Sequence, residues 1–218
     1  MKLILTCEHA SNKIPSEFSS LFTRSVLNSH RGLDIGSNFI YQFLRKKLSC
    51  YSQAAEYSRL LIELNRSLDH KDLFSEFSAN LDAKQKKHLI EKIYLPYQKK
   101  LIQQITAPTL HLGIHSFTPV LNGKKRLTDI GLLYDPKRKK ERAFCLAWKK
   151  WLAQNSNYRV KLNYPYKGSS DGLTTILRKK FPKNYLGIEL EINQKLLMNK
   201  ESAGKIAMLI YESLIAIL

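Results

Sequence analysis

Glycine is scarce in this sequence, nine residues in 218, so no glycine-rich linker divides it. A single catalytic domain over residues 1–218 is therefore the expectation, at a length that can bury one large core. Cysteine is scarcer still. Cys7, Cys50 and Cys145 are odd in number and widely spaced, which argues against a disulfide framework and a cysteine-based zinc knuckle and fits a reducing, cytoplasmic setting. No stretch reaches the roughly 18 continuous apolar residues of a membrane span, so no membrane role is expected. The apolar opening Met1–Cys7 is cut off by Glu8 and His9 without a small-residue cleavage site, so it reads as a buried strand rather than a secretion signal. Acidic residues are also few, 18 against 36 Lys and Arg.

The resulting formal charge of +18 is compatible with nucleic acid, an anionic surface or a small polycarboxylate as partner. The basic runs Lys84–Lys87, Lys137–Arg142 and Arg178–Lys180 alternate with apolar positions, as solvated helix faces do. No zinc-finger spacing, RNP-like aromatic motif or helix-turn-helix accompanies them, so nucleic acid is not the expected partner. At 44% apolar and 25% charged the composition is that of a folded globular chain, not a disordered segment, a fibre or a coiled coil.

Strands are expected at Lys2–Cys7, Arg59–Leu64, Thr109–Ile114, Ile130–Tyr134, Arg159–Asn163 and Tyr185–Ile192. Several are continuous apolar runs, which suit strands covered on both faces. Helical spacing runs through Ser37–Leu48, Asp82–Ile105 with a bend at Pro96, Lys139–Gln154, a segment capped by Asp171 and running to Phe181, and Ser202–Leu218. The alternation predicts an α/β sandwich around a mixed, largely parallel sheet, with its site where strands end.

Reactive side chains gather at those ends. Cys7-Glu8-His9 follows the first strand, Glu63-Leu64-Asn65-Arg66 closes the second, His115-Ser116 closes the third, and Glu189 and Glu191 lie two apart in the last. Two residues apart on a strand share a face, and a buried carboxylate needs a polar or ionic partner. Two imidazoles from different strands can share one zinc that activates a water. A carboxylate can then move the water's proton, and an arginine can hold a substrate carboxylate through two hydrogen bonds. His9, His115, Glu191 and Arg66 fit those roles.

Several segments together resemble the N-formylglutamate amidohydrolase family: Glu8-His9-Ala10-Ser11-Asn12-Lys13-Ile14-Pro15, Asp34-Ile35-Gly36, Ser58–Arg66, His115-Ser116-Phe117, Arg126–Tyr134, Asn163–Gly168 and Ile188–Asn193. The resemblance covers about residues 3–197. Through that family the chain is similar to the zinc carboxypeptidase and aspartoacylase group, whose order of a metal His, an Asn-Arg pair, a second metal His and a late catalytic Glu reads here as His9, Asn65-Arg66, His115 and Glu191. The resemblance implies a three-layer α/β sandwich of the phosphorylase/hydrolase type. It also implies a zinc-activated water that hydrolyses the amide of N-formyl-L-glutamate to formate and L-glutamate.

Within that pattern His9, His115 and Asp34 are the metal candidates, with zinc or another divalent ion. Glu191 and Arg66 are the catalytic candidates, and Arg59, Asn65, Arg66, Asn12 and Tyr166 the substrate contacts. Asn12 stands where the carboxypeptidase-like pattern has a ligand Glu, and an amide is a poor zinc ligand. Asp34 is read either as the third ligand or as a helix N-cap. Glu8 is expected to point away from His9, because neighbours on a strand face opposite ways. Arg59 is either a second carboxylate anchor or the partner of Glu63. Asp129 is read as fixing Arg126 or a lid loop, and His30 as a loop residue. Tyr166 and Gly168 are placed on a mobile loop over the substrate. Cys7 is read as an inert thiol. Two other readings stand beside this one: a related zinc peptidase or deacylase with another amide substrate, and an inactive basic protein that binds nucleic acid.

Overall fold

The computed structural model describes residues 1–218. Six strands form one sheet: β1 (Lys2–Cys7), β2 (Tyr51–Ala54), β3 (Thr109–Phe117), β6 (Ile130–Leu133), β7 (Val160–Leu162) and β8 (Tyr185–Asn193), in the spatial order β2-β1-β3-β8-β6-β7. The first four in that order run parallel, and β6 turns antiparallel to β8. Between β3 and β6, β4 (Val120–Leu121) and β5 (Lys124–Lys125) form a small hairpin.

The helices are α1 (Arg24–Leu27), α2 (Ser37–Lys47), α3 (Ala83–Leu89), α4 (Leu95–Ile102), α5 (Lys139–Asn155), α6 (Leu173–Lys180) and α7 (Lys200–Ile217). They flank the sheet on both sides. The expected mixed, largely parallel α/β sandwich is the fold observed, and no helix is long and apolar enough to cross a membrane.

The sheet separates two cores. Leu5, Leu110, Leu112, Ile114, Ile188, Leu190 and Ile192 pack with Leu44, Trp148 and Ile210 of α2, α5 and α7. Ile4 and Tyr185 on the opposite face pack with Leu101 of α4 and Leu177 of α6. In β3 and β8 the alternate positions on that second face are not apolar: they are His111, Gly113 and His115, and Gly187, Glu189 and Glu191. The central strands thus bury a polar stripe against one helical layer.

Some expectations require correction. Arg59–Leu64 is a series of turns, not a strand. Leu60, Leu61, Ile62 and Leu64 are buried in the second core, and their run is apolar for that reason, since run length does not separate a strand from a buried turn. Its place in the sheet is taken by β2, an edge strand without an apolar run. The hairpin turns on Asn122 and Gly123, both at positive φ, an Asn-Gly signal that the sequence did carry. Before Pro96 the helix widens into a π-helical turn over Ile90–Tyr94. Asp171 does not cap α6. Asn65 Oδ1 accepts from Leu173 N at 2.6 Å, and Asp171 Oδ2 accepts from Ser67 N at 3.0 Å, so the two segments cap each other.

A buried ion pair ties the second face together. Glu141 of α5 is fully buried, and its Oε1 accepts from Arg178 Nε of α6 and Gly187 N of β8, each at 3.0 Å. Removing one member strands the other in the interior. Glu141→Leu is expected to lose about 3–5 kcal/mol of stability in urea unfolding, and a loss below ~1 kcal/mol would refute this role.

Candidate active site

β1, β3 and β8 are consecutive in the sheet, and their C-terminal ends supply the polar groups. His115 and Glu191 are register partners across β3 and β8, so their side chains lie on one face. His9 follows β1 by two residues, and Asp34 N donates to His9 O at 3.0 Å, drawing the loop before α2 over the strand end. The four side chains line one cavity of about 230 Å³, below the roughly 300–1,000 Å³ of a drug-sized pocket.

Three atoms converge. His9 Nδ1 and His115 Nδ1 are 3.2 Å apart, and Asp34 Oδ2 lies 3.2 Å from the first and 3.1 Å from the second. Atoms bound to one tetrahedral zinc at about 2.0 Å stand about 3.3 Å apart, so the spacing is that of ligands to a common ion. Asp34 does not cap α2. The N-cap is Gly36, and the Asp34 carboxylate faces the imidazoles.

The outer nitrogens meet carboxylates. His9 Nε2 is 2.6 Å from Glu63 Oε1, and His115 Nε2 is 3.1 Å from Glu8 Oε2, off line for a hydrogen bond. Carboxylates there favour a proton on Nε2 and turn the Nδ1 lone pairs inward, the arrangement of carboxylate–histidine–metal sites. Glu8 therefore joins the group through His115, which His9 approaches at its other nitrogen. Residues 8 and 9 form a turn beyond β1, so strand alternation does not govern them. Tyr97 Oη donates to Glu8 Oε1 at 2.9 Å. Arg59 binds Glu63 Oε2 through Nε at 2.8 Å and reaches Asp34 Oδ1 through Nη1 at 3.4 Å. Arg59 thus pairs with Glu63, as one reading had it, across turns rather than along a strand.

Three buried carboxylates surround the imidazoles, and two of them, Asp34 and Glu63, pair with the Arg59 guanidinium. Burial opposes protonation of the imidazoles, yet Glu63 and Asp34 raise His9, and Asp34 and Glu8 hold His115 well above the usual imidazole range. A divalent cation on neutral imidazoles would take the place of those two positive charges. Burial opposes ionisation of Glu8, Asp34 and Glu63. The neighbouring imidazoles nonetheless hold Glu8 down at about 2 and Asp34 well below the carboxylate range, and Arg59 followed by His9 does the same for Glu63. Glu191 behaves oppositely. Burial, opposed by His115 and aided by Asp34 and Glu189, lifts it to about 8, and its Oε2 is buried with no hydrogen-bond partner.

The remaining sequence candidates divide. Arg66 lines the cavity, where its Nη1 donates to the carbonyls of Asn65 and Asp171 and no acid pairs with it. Asn65 lines it too, with Oδ1 committed to α6. Tyr166 lines it, its hydroxyl accepting from Arg126 Nη1 at 3.2 Å. Asn12 does not reach it. The chain leaves the sheet after Cys7, and Asn12 Nδ2 donates to Asn28 Oδ1 at 2.6 Å.

The loop of Tyr166 and Gly168 is held down rather than free. Asn163, in the left-handed region that asparagine tolerates, accepts Tyr134 N and Gly168 N on its Oδ1. A side chain at Gly168 or Gly131 would collide with the backbone of Tyr134 or Tyr164. Asp129 pairs with Lys195 and Arg159, not Arg126, and His30 is an exposed loop residue. His111 is buried between Thr6 and Tyr185, and burial lowers it to about 4. Burial pushes the Cys7 thiol up to about 12, which keeps it protonated and inert. Lys167 and Ser170 line the cavity without any sequence signal, whereas the sequence reads Glu63 and Glu189 as strand-end carboxylates and assigns them no role in the site.

A family model described as N-formylglutamate amidohydrolase matches residues 1–198. Among solved structures, a gene product from Agrobacterium tumefaciens is 25% identical with a TM-score of 0.86, over 99% of this chain and 91% of that one. The N-formylglutamate amidohydrolase from Ralstonia eutropha JMP134 is 18% identical with a TM-score of 0.76, over 98% of this chain and 91% of that one, a likeness of fold. No curated protein matches the chain.

Proposed function

The chain belongs to the N-formylglutamate amidohydrolase family and is thereby an amidohydrolase, and from that premise we propose that it hydrolyses N-formyl-L-glutamate to formate and L-glutamate with zinc. The observation that carries the reading is the triangle of His9 Nδ1, His115 Nδ1 and Asp34 Oδ2, with sides of 3.1–3.2 Å, beside Glu191. These three residues would hold the ion. When bound, zinc supplies acidification of a water and polarisation of the amide carbonyl.

The chain's own groups supply the rest. The Glu191 carboxylate accepts the water's proton as oxygen adds to the acyl carbon. The C–N bond then breaks, and Glu191 returns the proton to the departing nitrogen. Its elevated proton affinity suits the second task, and its place in the cavity lining, in register with His115, suits the first. Glu63 and Glu8 orient the imidazoles, and Arg59 keeps Glu63 ionised. Arg66, with no acid of its own, holds a substrate carboxylate. The small cavity admits a short acyl group on one amino acid more readily than a peptide, which favours this reading over the related peptidase.

Purified protein is expected to contain about one equivalent of zinc or another divalent ion and to release formate from N-formyl-L-glutamate faster than acetate from N-acetyl-L-glutamate. Elemental analysis and product assays check both. A metal-loaded protein that is inert towards N-formyl-L-glutamate but active on another amide would overturn the substrate. A protein that takes up no metal and binds DNA with steep salt dependence would overturn the reading.

A further inference from the structure

The cavity is lined by three cations, and they are not alike. Arg59 is committed to Glu63 and Asp34. Arg66 and Lys167 have no acidic partner, and the Lys167 ammonium has no hydrogen-bond partner in the protein. The other walls are acidic, including Asp34, Asp171, Glu189 and Glu191. A second carboxylate on a substrate would be repelled by those walls unless a cation met it.

Lys167 is exposed, but its backbone is built into the frame. Its carbonyl accepts Ser170 N at 3.0 Å. The adjoining Gly168 is gripped on both sides, its N–H by Asn163 Oδ1 at 3.1 Å and its carbonyl by Arg178 Nη1 at 2.6 Å. Arg178 is itself buried against Glu141. A flexible side chain lining the cavity thus stands on a fixed base, which is what reading a distant charge requires.

We propose that Lys167 is a specificity residue that pairs with the side-chain carboxylate of the substrate, while Arg66 holds the α-carboxylate; this rests on the amidohydrolase reading. The division follows from the two head groups. A guanidinium fork suits a carboxylate fixed beside the scissile amide, and a mobile ammonium suits one at the end of a flexible chain.

The test compares kcat/KM on N-formyl-L-glutamate and N-formyl-L-glutamine, which differ only in the side-chain carboxylate. Lys167→Met removes no internal hydrogen bond and should fold. It is expected to lose about tenfold or more on N-formyl-L-glutamate, chiefly through KM, and less than about twofold on N-formyl-L-glutamine. Arg66→Gln should lose on both alike. Equal losses for Lys167→Met on the two substrates, or discrimination erased by Arg66→Gln instead, would overturn the assignment. Calorimetric titration with L-glutamate and L-glutamine separates this from the activity. An inactive wild type whose preference for glutamate vanishes in Lys167→Met would sink the hydrolase reading and leave the assignment standing. Equal preference in both proteins would sink the assignment.

Discussion

Glu191→Gln is expected to keep the metal and the fold and to lose turnover by about a hundredfold or more, the range for a removed general acid–base. Glutamine preserves shape but can neither take nor return a proton. The substitution breaks no internal bond, because Glu191 Oε2 has no hydrogen-bond partner. Thermal stability should hold or rise, since an ionisable group leaves a buried position. The loss should fall on kcat, with KM for N-formyl-L-glutamate nearly unchanged, because the carboxylate pairs are made elsewhere. Glu189, on the same face two residues away and bonded to Thr174, is the control. Glu189→Gln should retain most activity. Exchange of those two results would move the proton-transfer role to Glu189.

His115→Ala is expected to abolish hydrolysis and to weaken zinc on the order of a hundredfold or more, since binding strength is distributed over the few ligands. Competition against a coloured chelator measures the affinity without reference to activity. A companion, Glu8→Gln, touches no ligand atom and should cost roughly 10–100-fold in affinity by releasing the His115 ring. Stability supplies a third readout. A ligand present at a thousand times its dissociation constant stabilises by about 4 kcal/mol, so a chelator should lower the melting temperature of wild type. It should lower that of His115→Ala far less, because a hundredfold weaker site at the same zinc concentration is stabilised by only about 1.4 kcal/mol. Wild-type zinc affinity in His115→Ala would falsify the ligand assignment.

Much of the site was legible before folding. The order His9, Asn65-Arg66, His115, Glu191 marks the family. In β3 and β8 the alternation of Leu110, Leu112 and Ile114 with His111, Gly113 and His115, matched by Ile188, Leu190 and Ile192 against Gly187, Glu189 and Glu191, marks a polar face on strands buried by both helical layers. Read as continuous apolar runs, those strands gave the right sheet. Read residue by residue, they also give the face.

Other features were not legible. The fates of Glu8, Glu63, Asn12 and Asp171 depend on which loop lies against which strand end. Asn65 and Asp171 exchange caps across 106 positions of sequence, and no local rule anticipates that. The loop of Tyr166 reads as free because it is polar and carries proline and glycine, yet Asn163 and Arg178 bind its backbone.

The sequence by itself determined most of the sheet strands, the α/β class and the His9, His115 and Glu191 candidates, because side-chain periodicity and residue chemistry are local properties. Tertiary structure alone decided that Asp34 faces the imidazoles rather than α2, that Glu8 and Glu63 stand behind them, and that Arg66 and Lys167 are left without acids. Those outcomes depend on distances between segments far apart in the chain, set by how the loops close over the sheet, and such distances have no local signature.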